Sequence, residues 1–113
     1  IPFTAVPAYN IGKPFHPRAN GWVGYAAELD GLRVYVAGDT DDTPEARAVA
    51  CGAAFLPVGG TYTMTAAEAA ALANALCPQI AVPTHYGSIV GDMTDGDDFA
   101  AQLAPDIRCV KLI

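Results

Sequence analysis

The stretch "WVGYAAELDGLRVYVAGDT", residues 22–40, decides the fold. Two apolar runs, 22–29 and 32–37, flank Asp30-Gly31, the dipeptide that best suits a two-residue hairpin turn. The reading is therefore an antiparallel β-hairpin. Its second strand runs into Gly38, after which Asp39, Asp41 and Asp42 follow within four residues. Carboxylates against a strand end are costly unless something cationic meets them. The nature of that cation is the functional question.

Strands and helices alternate on the C-terminal side of the hairpin. Residues 43–52, "TPEARAVACG", carry Thr43 at an N-cap position, Pro44 at the first helical position and Gly52 at the end, predicting a short helix. Residues 53–58 read as a buried strand and 59–64, "GGTYTM", as a loop. Thr65 and Glu68 stand at capping-box spacing before an alanine-rich helix that Pro78 stops, with Leu72 and Leu76 toward the core. Residues 80–84 form a further strand, 95–104 a helix with acids in its first turn, and 107–113 a closing strand. On the other side, 2–9 reads as an edge strand and 10–21 as a Gly/Pro/Asn loop. The order β, ββ, α, β, α, β, α, β implies parallel strands in an α/β sheet with helices on a face. The chain is expected to be one partial domain, residues 1–113. It opens in mid-strand without an initiator methionine, so a preceding segment is expected.

Composition narrows the function. The chain is 52% hydrophobic and 16% charged, which favours a packed core over disorder. A net charge of −6 without a basic run argues against nucleic acid. No apolar run approaches the ~20 residues of a membrane helix. Cys51, Cys77 and Cys109 are far apart and odd in number. They are read as small core residues in a reducing compartment, so a cytoplasmic protein is expected.

Ligands of parallel sheets gather beyond the strand C-termini. Three loops meet that description: Gly38-Asp39-Thr40, Gly59-Gly60-Thr61-Tyr62 and His85-Tyr86-Gly87. Asp39 and His85, each ending an apolar strand, are the residue types that share a divalent metal. Spacing alone leaves other roles open: a backbone cap for Asp39, and a hydrogen-bonded packing role for His85. Thr61 and Tyr62 offer hydroxyls to a small-molecule substrate, and Tyr86, beside His85, either polarises a substrate or simply packs. Asp41 and Asp42 are read as the acidic lead into the helix near Pro44. Trp22 and Tyr25 are read as packing residues, and Asp92, Asp95, Asp97 and Asp98 as solvated surface with a helix cap. The run "DTDDT" also suits the nucleophile loop of a magnesium-dependent haloacid-dehalogenase-like phosphatase, with Asp39 attacking phosphorus and Asp41 as general acid. That reading lacks a well-placed lysine, since Lys111 falls in the last strand.

The segments "NGWVGYAAELDGLRVYVAGDTD", "AAFLPVGGTYTMTAAEAAALA" and "IAVPTHYG" together resemble the C-terminal half of a metallo-β-lactamase-fold hydrolase, within the group that includes ascorbate-6-phosphate lactonase-like proteins. The resemblance implies half of an αββα sandwich. It implies a hydrolase acting through metal-activated hydroxide on an ester, lactone, amide or phosphodiester, with one or two divalent ions, zinc or manganese. By it, Asp39 bridges the metals and His85 is the last histidine ligand. A further ligand is implied near Asn10, or His16 reaches in instead. The family's His-x-His-x-Asp-His cluster is absent, because His16 and His85 are the only histidines. The chain is therefore expected to need its missing N-terminal half, or a second copy, to cover its sheet, and to be little active alone. A non-catalytic module of the same fold, binding through "GGTYTM", is the alternative.

Overall fold

The computed structural model describes residues 3–13, 17–60, 62–87, 91 and 93–112. Six strands, β1 (Phe3–Pro7), β2 (Val23–Leu29), β3 (Leu32–Val36), β4 (Ala53–Pro57), β5 (Ile80–Thr84) and β6 (Arg108–Cys109), form one sheet in sequence order. β1, β2 and β3 pair antiparallel, and β3, β4, β5 and β6 pair parallel. The hairpin turn forms as expected: Asp30 and Gly31 both take positive φ, 50° and 81°, as a primed turn demands.

Three helices, α1 (Pro44–Arg47), α2 (Ala66–Leu76) and α3 (Asp95–Ala101), supply the connections between parallel strands. The capping box of α2 forms in full: Glu68 N–H donates to Thr65 Oγ1 at 3.2 Å, and Thr65 N–H donates to Glu68 Oε1 at 2.9 Å. Ala69, Ala70, Leu72 and Ala73 of α2 are buried against Ala54 and Leu56 of β4, and the small side chains let the helix lie close to the sheet. Leu76 packs at the edge of that core.

α1 stops after one turn, at Arg47, rather than reaching Gly52. Residues 48–52 leave the helix as a turn and coil that leads into β4. Gly52 N–H donates to Arg33 O at 2.8 Å, and Gly52 O accepts from Gln79 and Ile80 N–H at 2.9 and 3.1 Å. These bonds bridge toward strands on both sides, and a continued helix would forfeit them. The closing strand is also shorter than 107–113, because β6 is an edge strand that pairs with β5 only through Ile80 and Ala81. Cys51 and Cys109 pack against the core as expected, whereas Cys77 is exposed at the left-handed C-cap of α2, φ 50°. Its position is set by the helix end and not by apolar burial.

The core lies between the sheet and its helices, and includes Val6, Ala26, Tyr35, Leu56, Leu72 and Phe99. Burial pushes the Tyr35 phenol well above its ordinary range, and its hydroxyl has no hydrogen-bond partner among the described residues. The opposite sheet face carries Ala5, Tyr25, Val36, Phe55 and Val82 in one row across five strands. Phe3, Tyr25 and Val36 on this face are 65%, 49% and 47% exposed, whereas Phe55 is half-buried and Val82 is buried, so the face is open on the β1–β3 side. Trp22 and Tyr25, expected to pack, are therefore half open to solvent. Among the described residues no helix is long and apolar enough to cross a membrane.

Candidate metal centre

The parallel run β3–β4–β5 brings the three predicted loops to one rim, because parallel strands end at the same sheet edge. Gly38, φ 71°, turns the chain out of β3 so that Asp39 stands at that edge. His85 follows β5 directly and adopts φ 57°, a left-handed conformation uncommon for a residue with a side chain. Such strain persists where surroundings enforce it and is common at functional sites. The two side chains meet there: His85 Nε2 lies 3.2 Å from Asp39 Oδ1, with the side chains 50% and 40% exposed.

The contact is that of a direct imidazole–carboxylate pair, and the same two donors also fit a shared cation. Two donors about 2.0–2.1 Å from a tetrahedral zinc stand roughly 3.3 Å apart, close to the observed separation. A carboxylate oxygen and an imidazole nitrogen are also a donor set that zinc and manganese accept. The described residues hold no cluster of three or more His, Cys, Asp or Glu side chains placed to bind a metal. A metal held at this pair would need further ligands from elsewhere.

The other predicted site residues separate. Tyr62 is 42% exposed at the rim. Tyr86 is 3% exposed and belongs to the core; its ring and hydroxyl lie against Gly96 of α3, where even a Cβ would come within 2.6–2.8 Å. Asn10 is buried, and its Nδ2 donates to Asp41 Oδ1 at 3.2 Å. His16, Thr61 and Asp92 lie outside the described residues.

Asp41 does more than lead acidically into α1. It is 6% exposed and accepts from Ile11 N–H at 2.8 Å, from Asn10 and from Lys13 Nζ at 2.5 Å. Asp42 behaves as expected, pairing with Arg47 of α1 at 2.7 Å. Thr40 is fully buried, and its Oγ1 accepts from Tyr9 N–H and donates to Asp41 O. Tyr9 in turn donates to Glu45 Oε1 at 2.6 Å, and this bond is the first cause holding the Glu45 carboxyl below its usual range. The segment after Asp39 thus anchors the loop that carries Asn10. Sequence reasoning overlooked Lys13 and gave Asp41 a different role. The available signal was a lysine between Gly12 and Pro14, the only one before Lys111. Asp97, taken as solvated surface, pairs with Lys111. With Asp41 enclosed, the phosphatase reading loses its general acid.

Comparison with known proteins agrees with this fold. A UPF0173 metal-dependent hydrolase from Thermococcus onnurineus is 31% identical over 104 residues, 88% of this chain and 46% of that protein. A crystal structure of a candidate metal-dependent hydrolase from Parabacteroides distasonis superposes with TM-score 0.83 at 40% identity, over 96% of this chain and 49% of that one. The metallo hydrolase Igni18 from Ignicoccus hospitalis superposes with TM-score 0.72 at 25% identity, over 97% and 48%. The chain thus spans about half the length of the relatives it matches. The family described as "Beta-lactamase superfamily domain" matches residues 1–85, and the chain belongs to that family.

Proposed function

We propose that this chain is the C-terminal half of a metal-dependent hydrolase of the metallo-β-lactamase superfamily, acting on an ester, lactone, amide or phosphodiester. The single observation that carries this is the Asp39–His85 pair, 3.2 Å apart at the rim where three parallel strands end. Asp39 and His85 would hold a divalent ion, zinc or manganese. When bound, such an ion supplies Lewis-acid polarisation of a substrate oxygen and acidifies water. Of the two candidates for a further ligand in this chain, His16 is favoured over Asn10, whose amide is engaged with Asp41 and whose oxygen is the weaker donor. Tyr62 offers its phenol to substrate, with Thr61 beside it in sequence. Tyr86 packs under α3 and orients the backbone that places His85. A lactonase-like substrate is proposed from the resemblance alone, and three free cysteines suit a reducing cytoplasm.

The test is metal dependence in the protein at its natural full length. Chelation is expected to remove hydrolysis of an ester and lactone panel, and stoichiometric zinc or manganese to restore it. Undiminished turnover after complete chelation would sink the proposal, and a protein that binds metal but turns over nothing would favour the non-catalytic module.

The open sheet face supports the half-domain reading. Ala5, Tyr25, Val36, Phe55 and Val82 make an apolar row of the kind that a second layer covers. The remaining half of a full-length protein is the occupant proposed, with a second copy as the alternative. Val36→Lys at natural full length is expected to cost at least about 3 kcal/mol in denaturant unfolding, as an unpaired buried charge does. A change within about 0.5 kcal/mol is the behaviour of a solvated surface and would refute the covered face.

A further inference from the structure

We propose that Lys13 is a positioning residue for the metal centre, tying three rim loops into one arrangement; the inference rests on the metal reading above. Lys13 Nζ donates to Asp41 Oδ1 at 2.5 Å and to the backbone oxygen of Thr63 at 2.9 Å. It therefore sits on the loop after β1, grips the segment two residues beyond Asp39, and grips the loop after β4. Asp41 completes the arrangement from the other side. Its two oxygens accept from Lys13, from Asn10 Nδ2 and from Ile11 N–H, and its own N–H donates to Tyr9 O at 2.9 Å.

Burial separates this pair from an ordinary surface ion pair. The Lys13 and Asp41 side chains are 24% and 8% exposed. Exposed pairs contribute little because water screens them. Here the carboxylate is enclosed, so losing the ammonium leaves a buried charge with one donor fewer and a Thr63 carbonyl unpaired. Neither Lys13 nor Asp41 need touch the metal for the loss to reach it. Asp41 is separated from Asp39 only by the fully buried Thr40, which is itself bonded to Tyr9. Displacement of Asp41 is transmitted along this short buried segment to the ligand carboxylate. Partners of this outer kind orient ligands and influence affinity by about 10–100-fold.

Lys13→Met and Lys13→Arg, compared with wild type at natural full length, test the assignment. The readouts are zinc affinity by competition calorimetry, the visible spectrum of the cobalt-loaded protein, and hydrogen exchange over residues 9–12 and 62–65. Lys13→Met is expected to weaken zinc about 10–100-fold, alter the cobalt spectrum and raise exchange in both loops. Lys13→Arg keeps two donors and the charge, and is expected to restore most of the affinity. The double variant Lys13→Met/Asp41→Asn should be no weaker than the worse single one, since the two side chains act as a unit. If Lys13→Met does not fold, Lys13→Gln is read by the same criteria. Wild-type zinc affinity and cobalt spectrum in the methionine or glutamine variant overturn this inference alone. A wild-type protein that binds no metal overturns the metal reading and this inference with it.

Discussion

In the protein at natural full length, Asp39→Ala is expected, on the proposed metal-dependent hydrolase function, to abolish stoichiometric metal binding and to lower hydrolysis by about 10³-fold or more. Lewis-acid stabilisation of transition-state charge is worth several kcal/mol, and each 1.4 kcal/mol is tenfold in rate. The same substitution should leave the fold intact. The Asp39 side chain is 40% exposed and faces His85 across the rim, outside the core cluster. His85→Ala should reproduce the metal loss, again with little effect on folding. Metal content by atomic spectrometry, turnover, and circular dichroism on the same preparations separate these effects. Retained stoichiometric metal in a folded Asp39→Ala protein would remove Asp39 from the ligand set.

Gly24→Ala is expected to damage both stability and site, through backbone contact alone. A Cβ at Gly24 would lie 2.4 Å from Ala37 O, 2.5 Å from Val36 O and 2.7 Å from Ala37 C. All three are main-chain atoms, so no flexible side chain can move aside. The strands must shift, at a cost of about 1–3 kcal/mol or more. The site feels the shift because Ala37 leads into Gly38, and Gly38 rests against Gly24: a Cβ there would lie 4.0 Å from Gly24 Cα. The close approach of β2 and β3 thus sets where Asp39 leaves the sheet. A displacement of ~1 Å can cost about 10²-fold in rate. Urea unfolding and zinc titration of Gly24→Ala read the two effects. An unfolding midpoint and zinc affinity equal to wild type would show that the strands have room there.

Legibility was uneven, and the unevenness has physical causes. The Asp30-Gly31 turn and the Thr65/Glu68 capping box were readable because both depend on neighbours three or fewer residues apart. The length of α1 was not. Its end depends on Gly52 bonding to Arg33 and Gln79, partners 19 and 27 residues away. Asp39 and His85 were legible because each ends an apolar run. The further role of Asp41 was missed because its partners Asn10, Ile11 and Lys13 approach from about 30 residues upstream, and local charge patterning favours a helix lead. Tyr86 looked like part of the pocket because it follows His85. Its direction is decided by Gly96, whose missing side chain makes room for the ring.

The sequence alone determined the alternation of elements, the hairpin, the parallel strands that follow it, and the two rim residues suited to metal. These follow from periodicity, turn chemistry and residue type, which act over short stretches. Tertiary structure alone decided that Asp39 and His85 meet at 3.2 Å, that Asp41 and Lys13 bind three loops together, and that one apolar sheet face is open on the β1–β3 side. Those outcomes depend on strand order and register, which bring together residues 46 positions apart in the first case and 50 in the span from Lys13 to Thr63. Local chemistry proposes such ligands and charges, and only packing over long sequence separations selects their partners.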